Sequence, residues 1–140
     1  MSDDILYMSA SDLVGCYRNQ TLSPVEATRA TLARIAAADS KTNAFTLVDE
    51  NSAMDTARQS EERWRVGEPL GPVDGVPTSI KDLVLSKGLP TRFGSMTTEL
   101  DQAWEVDAPC VARLRESGAV ILGKTTTPEF GWKGVTDSAV

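Results

Sequence analysis

The chain has no histidine among its 140 residues. Serine–histidine–aspartate and cysteine–histidine catalysis are therefore excluded within it, as is any zinc site built on imidazole. Acid–base work would fall to lysine, the acids, tyrosine or cysteine. The stretch GVPTSIKDLVLSKGLPTRFGS (75–95) puts Lys81 directly behind a short apolar run and ahead of a glycine-rich segment. A lysine carried inward by such a run and held neutral by burial serves as a general base at neutral pH. The competing expectation is a solvated lysine beside Asp82 at a strand end. Ser79 lies two residues earlier, so on a strand it shares a face with Lys81. A serine–lysine pair works as nucleophile and base when the lysine is neutral. Two side chains standing side by side on one strand do not converge on a reacting atom, and that weighs against the pair.

GAVILGKT (118–125) matches the phosphate-loop pattern G-x-x-x-x-G-K-T letter for letter. That loop needs a strand before it, a flexible cradle between its glycines and a helix after its lysine. Here a helical pattern precedes Gly118, the intervening Ala-Val-Ile-Leu builds strand, and Pro128 obstructs an immediate helix. The match is read as accidental.

The elements that must position Lys81 follow from periodicity and caps. Ser9 and Asp12 form a capping-box start for a helix over 9–20, with Leu13, Val14 and Tyr17 on one face. Ser23, Pro24 and Glu26 open a helix over 23–38, striped by Val25, Thr28, Leu32 and Ile35. A strand is predicted over 43–49 and a helix over 50–65, acidic early and arginine-rich late. Gly67, Pro69, Gly71, Pro72 and Gly75 then break regular structure. Beyond them come a strand over 76–80 ending at Lys81, a helix over 107–118 with Asp107 near its start, and AVIL (119–122). This last run is apolar throughout and suits a strand buried on both faces. Helices alternating with buried strands imply an α/β layer architecture. About three strands are evident and the chain stops in loop-like sequence, so it reads as the front part of a larger sheet protein.

Apolar content of 41% and charged content of 24% belong to an ordinary globular domain. The net charge of −6 opposes nucleic acid or an anionic membrane as partner, and no stretch approaches the roughly 20 apolar residues of a membrane span. Cys16 and Cys110 are far apart in a chain without a secretory-type start, which points to reduced thiols and a cytoplasmic location.

Residues 71–95, GPVDGVPTSIKDLVLSKGLPTRFGS, and 108–132, APCVARLRESGAVILGKTTTPEFGW, resemble the N-terminal part of amidase-signature hydrolases. LSPVEATRATLARIAAADSKTNAFTLVDE (22–50) resembles that family's first helices and strand. The motifs carrying the likeness are G-V-P-x-x-I-K-D, G-x-x-T-x-x-G-S (88–95) and G-K-T-x-x-P-E-F (123–130). The resemblance implies the beginning of that family's mixed α/β sheet, here incomplete. It implies 1–140 as the N-terminal portion of one domain, mainly helical to about residue 70 and the start of the catalytic core thereafter. It assigns Lys81 as terminal base of a Ser–cis-Ser–Lys triad cleaving a carboxylic amide, with Phe130 walling the substrate pocket. Lys124 is structural in that family. No cofactor or metal is implied; the partner is a small-molecule amide, and either a homodimer or a partner chain supplying the rest of the domain is left open. The departures are as definite. No glycine- and serine-rich signature is present, and Ser138 in DSAV lacks that context. The two triad serines are expected beyond Val140, and Thr126 stands where many relatives have asparagine. The chain by itself is expected to be inactive. The alternatives are a glutamyl-tRNA amidotransferase A-type subunit and a non-catalytic assembly module.

Overall fold

In the computed structural model, which describes residues 3–138, three strands and four helices stack in three layers. α1 (Ala10–Arg18), α2 (Pro24–Thr42), β1 (Phe45–Val48), α3 (Glu50–Val66), β2 (Pro77–Lys81), α4 (Pro109–Glu116) and β3 (Val120–Thr125) follow in that order. The capping boxes form as the sequence predicts: Ser9 accepts from the Asp12 amide and Ser23 from the Glu26 amide, with each acid reaching back. α2 runs four residues beyond its expected end because the chain turns only at Asn43, whose left-handed backbone (φ 47°) stops it. α4 is shorter than expected and lacks a side-chain cap. Asp107 instead accepts the Lys87 amide at 2.6 Å and pairs with Arg115 at 3.1 Å, tying the preceding loop down.

The sheet order is β1-β3-β2, with β3 antiparallel to β1 and parallel to β2. β3 thus has a partner on each side, as its apolar run requires. One face of the sheet takes Leu32, Ala53 and Ala57 of α2 and α3 onto Val120 and Leu122. The other buries Ile80 and Ile121 against Val111 of α4 and Leu89 of the loop after β2. Leu13, Tyr17, Ala27, Trp64 and Val76 close a third cluster beneath the start of β2.

The glycine–proline segment before β2 is not slack. Asp74 is fully buried, takes two hydrogen bonds from the Arg63 guanidinium (2.8 and 2.7 Å) and accepts the Leu70 amide at 2.8 Å. Trp64 Nε1 donates to the Asp74 carbonyl and the Tyr17 hydroxyl to that of Gly75. These bonds fix where β2 begins, and hence where Lys81 lies at its end.

Candidate active site

Lys81 ends β2 opposite Thr125, the last residue of β3. The carboxyl ends of two parallel strands are where open α/β sheets bind their ligands. Alternation along β2 sends Ile80 and Asp82 inward while Ser79 and Lys81 are exposed. The expectation that the apolar run carries Lys81 inward is therefore corrected. Asp82 takes the buried position, and Lys81 faces outward on the same side as Ser79.

What Asp82 meets inside depends on an irregularity in β3. Thr78 pairs with Ile121 but Ile80 with Lys124, so β3 uses one residue more than β2 over that span. Such a bulge re-aims the side chains beyond it. Leu122 packs toward α2 and α3; an unbroken alternation would send Lys124 the same way. Instead, Lys124 pairs with Ile80 and reaches the opposite side, fully buried. Gly123 makes this possible. Its φ is 149°, and a Cβ there would lie 2.0 Å from the Leu47 carbonyl oxygen. The glycine and lysine that mimic a phosphate loop are thus parts of a bulged strand, followed among the described residues by a single 3-10 turn (Glu129–Gly131) and no α-helix. The phosphate-loop geometry is absent from 118–125.

The Lys124 ammonium donates to the Val84 carbonyl at 2.7 Å and to Thr91 Oγ1 at 2.6 Å, and lies 3.8 Å from Asp82 Oδ1. Both charged side chains are wholly buried. Burial pushes the Asp82 carboxyl up, against the pull of the Arg92 amide and Lys124. Burial pushes the Lys124 amine down, against the charge of Asp82. Asp82 also accepts the Arg92 amide at 3.1 Å, and its carbonyl takes the Phe93 amide at 3.0 Å. The loop after β2 is thereby folded back on the end of the strand.

The turn after β3 docks on this loop. Ser95 Oγ donates to Glu129 Oε1 at 2.6 Å, and the Phe130 amide donates to the Phe93 carbonyl at 2.7 Å. The Phe93 and Phe130 rings stack with centroids 6.1 Å apart, and Phe130 is 59% exposed rather than a core aromatic. The three sequence motifs therefore form one contiguous structure. The sequence pattern singles out Lys81 and Phe130 but misses Asp82, Thr91, Ser95 and Glu129. A signal for them exists, since all four are motif letters.

Ser79 and Lys81 share a face, and no hydrogen bond joins their side chains among the described residues. A cleft of about 710 Å³ opens at the same end of the sheet, walled by Asn43, Phe45, Arg92, Thr126 and Thr136. Lys81 is not among its walls.

The family model described as Amidase matches residues 26–140. The chain belongs to the amidase family. Its similarity to individual members is spread over the whole length. It is 42% identical over 134 residues to the A-type subunit of the glutamyl-tRNA(Gln) amidotransferase of Salinispora tropica, covering 96% of this chain and 27% of that protein. It is 38% identical to an acylamidase of Rhodococcus erythropolis, covering 94% of this chain and 28% of the relative. Among solved structures, a bacterial aryl acylamidase of the amidase-signature family superimposes with a TM-score of 0.86 at 30% identity, over 94% of this chain and 27% of that one. The peptide amidase of Stenotrophomonas maltophilia gives 0.81 at 31% identity, over 89% and 26%. The amidase-family chain thus spans about a quarter of the length of these relatives. Its mixed α/β layers are those of the amidase-signature fold.

Proposed function

We propose that this chain is the N-terminal portion of a single amidase-signature domain and supplies Lys81 as the terminal base of a Ser–cis-Ser–Lys amide hydrolase. In this reading residues 1–70 are the mainly helical region and 71–140 begin the catalytic core. The observation that carries the reading is the placement of Lys81: it is the last residue of β2, faces outward, and is backed by the buried Asp82. A neutral lysine takes a proton from the bridging serine, which takes one from the nucleophilic serine as that oxygen attacks the amide carbonyl. The proton returns through the same relay to the departing ammonia or amine, and water then cleaves the acyl-enzyme. Lysine is a base only when neutral, and desolvation favours that form. Since Lys81 is exposed in this chain, the serine-bearing remainder must close over it. In this reading Phe130 walls the space for a small-molecule amide; its exposure and its stacking on Phe93 support that role. The protein works in the cytoplasm in this reading, where the free thiols of Cys16 and Cys110 stay reduced.

The test is Lys81→Ala in a protein that contains this chain and the two serines. Amide hydrolysis should fall by at least about 10³-fold with an unchanged circular-dichroism spectrum. Retained activity would remove Lys81 from the mechanism. A second reading draws on the 42% identity to an A-type amidotransferase subunit: the released ammonia would pass to a partner chain. Glutamine hydrolysis that depends on co-purified partner chains would favour it over a free-standing amidase.

A further inference from the structure

We propose that Lys124 and Asp82 are positioning residues for Lys81, a buried charge pair that sets the direction in which β2 presents the lysine. The role assigned to Lys81 is the one proposed above; the pair's effect on its direction is separable from that role.

Adjacent residues at the end of β2 face opposite ways, so either Lys81 or Asp82, but not both, can point into the layer under α4. Both are polar, and burying either is unfavourable without a partner. Burial of Ile80 against Val111 and Ile121 already favours Asp82 inward by alternation. Lys124 adds the charge that holds that choice. Carried across the sheet by the Gly123 bulge, its ammonium occupies the interior, donating to Val84 O and Thr91 Oγ1, with Asp82 Oδ1 at 3.8 Å. A one-residue slip at the strand end would replace Asp82 by Lys81 against that ammonium. Two buried cations would then face each other where an ion pair stands now. Asp82 further engages the Arg92 amide through Oδ1, the Phe93 amide through its carbonyl and the Thr125 carbonyl through its own amide. The inward choice of Asp82 is thus built into the loop and the neighbouring strand. Lys81 is directed outward as the consequence. An apolar pair would fill the same volume and often stabilise a fold as well, but would carry no discrimination between a lysine and an aspartate at this strand end.

The test measures the direction of Lys81. Brief acetylation of the folded protein, read by mass spectrometry, should modify Lys81 as fast as the exposed Lys87 and Lys124 at least about 100-fold more slowly. The double variant Asp82→Asn with Lys124→Met removes both charges at similar volume. In it, acetylation of Lys81 relative to Lys87 should fall by at least about threefold as the strand end samples the slipped register. Asp82→Asn alone, isosteric, is the second variant and should move the same ratio in the same sense. An unchanged ratio in folded variants overturns the proposal. So does loss of folding in both, because the pair would then be a general requirement of the fold. In a protein bearing the serines, the double variant should lower kcat at least about tenfold with KM within about twofold. A merely structural pair would reduce the folded amount and leave kcat per folded molecule unchanged, which would also overturn the proposal. If the wild-type protein hydrolyses no amide, the base role of Lys81 fails, and the acetylation ratio still decides whether the pair aims it.

Discussion

Asp74 illustrates how single side chains hold this site from a distance. Burial works to raise its carboxyl, yet the Arg63 guanidinium, the Leu70 amide and the Arg63 charge together hold it below the ordinary carboxylate value. An acid depressed in the folded state contributes stability that is fully present above its unfolded pKa of about 4 and is lost as pH falls through the lower folded value. Asp74→Asn should therefore destabilise by about 2–3 kcal/mol at pH 7. The gap from wild type should close progressively below about pH 4. Denaturant titrations of both proteins across pH 2.5–8 (about this range, to span the carboxylate pKa values) measure it, and a gap that stays constant would show that the charge is not what matters. Asp82 is shifted the other way, but it is present in both proteins and cancels in the difference.

At the scale of elements, the bulge in β3 is the decisive local feature. It breaks the alternation that packs Val120 and Leu122 toward α2 and α3, so that Lys124 reaches the loop after β2 instead. Gly123→Ala should be severe, since the new Cβ would lie 2.0 Å from backbone, where nothing flexible can give way. A loss of at least about 3 kcal/mol is expected, with β1 separating from β3 as the relief. Hydrogen exchange should show this at the Asp49 amide, which donates to the Leu122 carbonyl at 2.9 Å. Stability within about 0.5 kcal/mol of wild type would mean that the backbone relaxes freely there.

At the scale of the molecule, β3 is paired on both sides, whereas β1 and β2 each pair only with β3 among the described residues, leaving two edge strands. Several large apolar side chains, including Met96, Phe130, Trp132 and Val135, are likewise exposed. Among the described residues no helix is long and apolar enough to cross a membrane. No glycine- and serine-rich segment occurs in the 140 residues, so a fluorophosphonate should not label this chain. Labelling at Ser79, detected by peptide mapping, would instead establish the Ser79–Lys81 pair as a working dyad.

The sequence by itself determined the elements and their order. Ser9, Asp12, Ser23 and Glu26 bond amides within one turn, and the apolar 119–122 run must be buried wherever it lies. Such local terms are readable because cause and effect are a few residues apart. It also identified the motif letters, through resemblance, without showing why they occur together. Only the tertiary structure decided that Asp82 rather than Lys81 turns inward, that Lys124 crosses the sheet to meet it, and that Ser95 bonds Glu129. Those outcomes rest on contacts between residues 34 to 42 positions apart, made possible by a bulge whose register no local pattern encodes. The physical reason is that burial of a charge is settled by its partner, and the partner arrives from another strand.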